Sequence, residues 1–238
     1  MLDYNHAILS TADLPGLLTD KAATEGIRLD TVPFIQTTAL ANDDLVAHIR
    51  ALSHLNLFTV FTSPAAVKAV AGAIDHVPDN WKICCLSGET GERASRLFGE
   101  DRIVAQAPDA ATLSEQMIQL QLPTVTFFCG NLRRDIIPTT LPKAGIAVNE
   151  LMVYRTVLHP VVITEPYDGI LFSSPSAVES FFSLNTVASA TILFAIGQTT
   201  ADAVKRYSDN TLVVNTGVGK TALVSTAIEY LHSLKSIA

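Results

Sequence analysis

Charge is scarce in this sequence. Only 16% of its residues are Asp, Glu, Lys or Arg, and 16 basic residues against 23 acidic ones leave a formal charge of −7. No basic cluster offsets that balance, which excludes a nucleic-acid binder, since such a protein needs a basic face to neutralise phosphates. An anionic ligand would have to be held by backbone amides and a few local arginines rather than by a global field. Cysteine is also scarce. Cys84, Cys85 and Cys129 sit in apolar, strand-like runs without ligand spacing and read as buried thiols in a reducing compartment. The six histidines, at 6, 48, 54, 76, 159 and 232, show no paired spacing, so no metal centre is expected. No run approaches the ~20 uninterrupted apolar residues of a membrane span, and no basic region followed by an apolar core opens the chain. The expectation is a cytoplasmic protein with neither a membrane nor a nucleic-acid partner.

What the chain does have is apolar content, 48% over 238 residues, enough for a sizeable core in one large domain or two small ones. Short apolar runs alternate with helical stretches of ten or so residues. Strands are expected at 6–10, 57–62, 81–86, 102–105, 124–129, 191–196 and 212–214, with long extended runs at 27–38 (interrupted by Pro33) and 145–158. Helices are expected at 13–25, 42–54, 64–74, 90–98, 109–120, from Gly130 to about Lys143, and at 219–234. This alternation predicts a parallel α/β architecture.

One stretch, Tyr167 to Phe182, reads as a buried strand (Gly169 to Phe172) running into a helix capped by Ser174, with Pro175 at the first helical position. The free amides of Ser176 and Ala177, with the serine hydroxyls, would then face the carboxyl end of the strand, a usual place for an anion in an open α/β sheet. Ordinary helix capping explains the same residues. The chain, however, contains the stretch twice: Phe61-Thr62-Ser63-Pro64-Ala65-Ala66-Val67 matches Phe172-Ser173-Ser174-Pro175-Ser176-Ala177-Val178 at an offset of 111. Gly88-Glu89-Thr90 matches Gly197-Gln198-Thr199 at an offset of 109, and Gly26-Ile27 with Thr37 matches Gly145-Ile146 with Thr156 at an offset of 119. Ordered matches at nearly one offset indicate an internal duplication.

In a five-stranded sheet ordered 2-1-3-4-5 the second strand lies at the edge. If 27–30 is that edge strand, the chain can leave the first lobe there, build a complete second lobe, and return along the duplicate of the same strand. The expected organisation is a discontinuous first lobe, 1–34 plus 158–238, a second lobe, 39–151, and a two-stranded connector, 35–38 and 152–157, with a cleft between similar lobes.

Val153-Tyr154-Arg155-Thr156, the Tyr167 to Val178 stretch, Ala195-Ile196-Gly197-Gln198-Thr199-Thr200-Ala201, the repeat copy Phe61 to Val67 and the helix at Thr221 to Val224 resemble the uroporphyrinogen-III synthase family in order and spacing, across essentially the whole chain. The resemblance implies two flavodoxin-like lobes and a cofactor-free cyclisation of hydroxymethylbilane, a small-molecule substrate, with inversion of the last pyrrole ring and loss of water. It also implies that Tyr154 is the proton donor to the departing hydroxyl and that Thr200 is the family's threonine at the cleft. The chain departs from the family's pattern after its first strand, where Ser10-Thr11-Ala12-Asp13 holds no arginine, and at Gly88-Glu89-Thr90-Gly91, which lacks a second threonine.

The substrate supplies its own electrophile and nucleophile, so positioning is the main task of such a catalyst. A phenol suits the donor role because it carries its proton at neutral pH. Packing of a connector tyrosine is the alternative for Tyr154. Ser63, Thr90, Ser173, Ser174, Ser176, Ala177, Thr199 and Thr200 stand at strand ends and helix starts, and are expected to hold carboxylate arms or to cap helices, two roles that can coexist. Of the adjacent Arg133 and Arg134, Arg133 is the expected carboxylate partner, while Arg155 should face away from Tyr154. Gly217-Val218-Gly219-Lys220-Thr221 looks like the tail of a phosphate loop, but Val214 stands where that pattern needs glycine. A non-catalytic bilobed binder of small anions, and a nucleotide or flavin enzyme, remain as alternatives. Two lobes within one chain lead to the expectation of a monomer.

Overall fold

The computed structural model describes residues 4–235; the terminal triplets assigned above to the first lobe lie outside that range. In chain order the strands are β1 (His6–Ser10), β2 (Ile27–Thr31), β3 (Ile35–Ala39), β4 (Leu57–Phe61), β5 (Trp81–Leu86), β6 (Ile103–Ala107), β7 (Thr124–Gly130), β8 (Ala147–Leu158), β9 (Gly169–Phe172), β10 (Ile192–Ala195) and β11 (Leu212–Val214). The helices are α1 (Gly16–Thr24), α2 (Asp43–Ser53), α3 (Pro64–Ala73), α4 (Glu89–Phe98), α5 (Ala110–Gln119), α6 (Ile136–Lys143), α7 (Pro175–Phe182), α8 (Gln198–Val204) and α9 (Gly219–Lys235). They form two compact units, one running to Gln36 and resuming at Val157, the other spanning Thr37–Thr156.

The first unit is a five-stranded parallel sheet ordered β11-β10-β9-β1-β2. Neighbouring residues on each strand point to opposite faces. Ile8 and Leu171 therefore pack with α1 and α9, while Leu9, Ile170 and Phe172 pack with α7 and α8. Both faces are covered, which is why Ile170-Leu171-Phe172 and Ile192-Leu193-Phe194 are continuously apolar instead of alternating.

The second unit repeats the plan. Its sheet runs β3-β8-β7-β4-β5-β6, so β7 and β8 stand where β1 and β2 stand in the first unit. Phe61, Cys85 and Phe128 face α3 and α4, and Val60, Cys84 and Phe127 face α5 and α6. The matched glycines Gly26 and Gly145 explain themselves here. Both follow a helix at positive φ, +71° and +82°, a left-handed terminus that a side chain would strain.

Two elements depart from their expected bounds. The first helix starts at Gly16 rather than at residue 13, because Pro15 holds an extended backbone ahead of it. The helix expected to follow Gly130 directly starts at Ile136, because residues 131–135 form a loop pinned to β8 by the Asn131 side chain.

Candidate active site

Each sheet reverses its direction of winding at one pair of neighbouring strands. In the second unit these are β7 and β4, whose following helices, α6 and α3, lie on opposite faces. Their carboxyl ends therefore splay apart into the kind of crevice where ligands bind in open α/β sheets. A cavity of about 210 Å³ occupies this place, lined among others by Thr62, Ser63, Arg133, Arg134 and Tyr154. Ser63 follows β4 and caps α3, its hydroxyl accepting the Ala65 N–H at 3.2 Å. Tyr154 comes from β8. Three residues expected at the site, Ser63, Arg133 and Tyr154, thus come together in one unit.

The Tyr154 ring lies directly over the Gly130 backbone, where a Cβ built on the glycine would fall 2.3 Å from Cζ and 2.4 Å from Cε2. Burial pushes the phenol above its ordinary pKa; the Ser63 hydroxyl pulls it back in part, and nearby Cys129 adds a small upward push. The group therefore carries its proton throughout the neutral range, as a donor must. The ring also lines a second cavity of about 300 Å³, walled by Ala65, Ala69 and Gly72 of α3, with Lys68 beside them. Arg155 is exposed, in keeping with its expected orientation.

Arg133 is less available than expected. Its guanidinium is paired with both Asp135 and Glu150, and those carboxylates raise its own pKa further. The adjacent Arg134 lines the same cavity, is exposed, and makes no ion pair among the described residues. Lys68 is likewise exposed and unpaired among the described residues. Sequence reasoning missed Lys68, although its place one turn beyond the Ser63 cap was the available signal. Thr90 does not join this group: it is buried in the first turn of α4.

In the first unit the winding reverses between β1 and β9. Ser173, Ser174, Ser176 and Ala177 gather at the end of β9. The Ala177 amide is not free, because it donates to the capping Ser174 hydroxyl at 3.2 Å. Ser176 Oγ lies 3.1 Å from Ser174 Oγ, whereas the Ser173 hydroxyl is enclosed without a partner among the described residues. Thr199 is exposed at the start of α8; Thr200 is buried, with its N–H on the Gly197 carbonyl.

The family "Uroporphyrinogen-III synthase HemD" matches residues 18–225 of the chain. No curated protein matches it by sequence. Among solved structures, uroporphyrinogen-III synthetase from Helicobacter pylori superposes with a TM-score of 0.67 at 15% identity, covering 94% of this chain and 99% of that one. A mutant uroporphyrinogen III synthase from Thermus thermophilus gives 0.62 at 17% identity, covering 97% and 99%. At such identities the structural likeness speaks for the two-lobed α/β fold, and the sequence match speaks for the family.

Proposed function

The chain belongs to the uroporphyrinogen-III synthase family, the cyclising lyases of haem biosynthesis, and we propose that Tyr154 is its proton donor and that the β4/β7 crevice takes part of the substrate's carboxylate load. The observation that carries this reading is the half-buried phenol beside Ser63 and an Arg134 that is unpaired among the described residues, at the reversal of the sheet.

The chemistry follows from the substrate. On hydroxymethylbilane, the hydroxyl of the hydroxymethyl group leaves as water once the phenol delivers its proton to the hydroxyl oxygen. The pyrrole nitrogen lone pair supplies the electrons that break the C–O bond, leaving an electrophilic azafulvenium cation. Direct closure without a catalyst gives the uninverted isomer, so the protein must favour attack by the substituted carbon of the last ring, through a spiro intermediate. The spiro carbon then releases its original bridging methylene, and that methylene bonds the free α-carbon of the same ring. The proton lost there on return to aromaticity restores the phenol, with water the only by-product. No protein nucleophile or resident cofactor enters this scheme.

Arg134 and, at the adjoining cavity, Lys68, both unpaired among the described residues, offer cations for acetate and propionate arms. Arg133, held by Asp135 and Glu150, shapes the loop instead. In the first unit the Ser173 hydroxyl is the strongest candidate of its group, since Ser174 is engaged in capping. The enzyme would act as a monomer in the cytoplasm, a reading supported by its two lobes within one chain and by its biosynthetic family. No described helix is long and apolar enough to cross a membrane.

Tyr154→Phe tests the donor role. The variant should fold and bind normally but lose roughly 10–100-fold in kcat, at or below the low end of what general acids contribute, because water replaces the phenol in part. An unchanged kcat would remove Tyr154 from the mechanism.

A further inference from the structure

We infer that Gly130 and Asn131 are positioning residues for Tyr154: the glycine is the seat on which the ring lies, and the asparagine clamps the strand that carries it. This rests on the reading of Tyr154 as the proton donor. The register shows why a clamp is needed. From Thr124↔Ala147 to Cys129↔Met152, β7 and β8 pair without a slip, but Gly130 then pairs with Tyr154, so β8 carries one extra residue. Such a bulge interrupts the ladder and breaks the two-residue alternation of side chains. Val153 and Tyr154 accordingly both pack on the cluster beneath α3, where strict alternation would send them to opposite faces.

Beyond the bulge the strand would be free to twist, and Asn131 removes that freedom. Its side-chain amide donates to the Thr156 carbonyl at 3.0 Å and accepts from the Thr156 N–H at 2.7 Å. That is the two-way exchange an antiparallel strand residue makes with its partner, here supplied by a side chain beside a parallel pair. The Thr156 hydroxyl is in turn 3.0 Å from that of Thr37, and the Val153 carbonyl accepts from the Leu40 N–H at 2.9 Å. The backbone on both sides of Tyr154 is therefore tied. With the strand held, the ring can lie in the crevice only if nothing projects from position 130, and even the phenol oxygen would be 2.8 Å from a Cβ there. The duplicate strand pair in the first unit continues by backbone bonds alone: Val32 N–H to Ser10 C=O at 3.0 Å, and Phe34 N–H to Thr11 C=O at 3.1 Å. Bulge, seat and clamp occur together in the copy that carries the tyrosine.

The test is a double-mutant cycle on kcat and KM, with Asn131→Ala and Gly130→Ala each made alone and in a Tyr154→Phe background. Asn131→Ala should lower kcat about tenfold with KM within about twofold, as expected for a misplaced catalytic group. In the Tyr154→Phe background the same change should cost less than about twofold, because the group it positions is gone. Asn131→Asp, which keeps the acceptor for the Thr156 N–H but loses the donor, should fall between. Gly130→Ala should follow Asn131→Ala, and if it fails to fold the asparagine variants carry the test. An ultraviolet difference titration against Tyr154→Phe gives a second readout, in which the phenol of Asn131→Ala should titrate nearer the ordinary tyrosine value than that of the unaltered protein. Equal losses in both backgrounds, or no loss where Tyr154→Phe itself lowers kcat, would overturn the inference. No effect of Tyr154→Phe would instead overturn the reading beneath it.

Discussion

At the scale of single residues, the proposed reaction turns on one phenol kept protonated and in place. Burial raises the Tyr154 pKa above its usual value, so the acid form is complete at neutral pH and is lost only as pH rises through the raised pKa. Activity should therefore hold level from pH 7 to 9 as far as this group is concerned, with any Tyr154-dependent fall lying above about pH 10. The pH profile of kcat checks this, and a falling limb below pH 9 that disappears in Tyr154→Phe would contradict it. Tyr167, pushed up to about 12 by burial and the neighbouring Asp30, titrates in the other unit and is separable by its own variant. The residue scale is also where the sequence was hardest to read. Tyr154 was legible through its motif. Asn131 was not, because an asparagine after a strand-ending glycine reads as a turn, and its partner Thr156 lies on a later strand. Nor could adjacency decide between Arg133 and Arg134. That choice depends on Glu150, which only the fold brings close.

At the scale of elements, local chemistry spoke more clearly. Asn42 caps α2 by accepting the Leu45 N–H at 2.8 Å, and Asp109 caps α5 through the Thr112 N–H at 2.9 Å, which holds its carboxyl below the usual range. Both helix starts were visible as short polar residues ahead of apolar periods. Asn42→Ala and Asp109→Ala should each cost about 1 kcal/mol at neutral pH, a fall of about 2–4 °C in Tm by thermal melting. A melting temperature unchanged in both would mean that these caps do not hold the helices. The misplaced starts, at α1 and α6, have physical reasons that propensity does not carry: the extended backbone at Pro15 in one, and a loop held by a distant strand in the other. The bulge in β8 was equally hidden, since a run of extended residues looks the same with or without it.

At the scale of the whole molecule, the duplication was the most legible feature, because matched Gly, Pro and Ser positions survive where side chains have diverged. It carried the parallel α/β class and the edge position of β2, both of which follow from the sheet orders; β8, its duplicate, is flanked instead by β3 and β7. The same duplication explains why one copy can specialise. β1 and β2 continue by backbone pairing, while β7 and β8 break register to present a tyrosine. Family membership then gives this presentation its chemical meaning, because the reaction depends on which carbon closes the ring rather than on a strong nucleophile. The most direct measurement supplies freshly prepared hydroxymethylbilane to the protein, oxidises the products and separates the isomers. The account predicts type III product, formed faster than the spontaneous closure; type I alone, at the rate seen without protein, would contradict it.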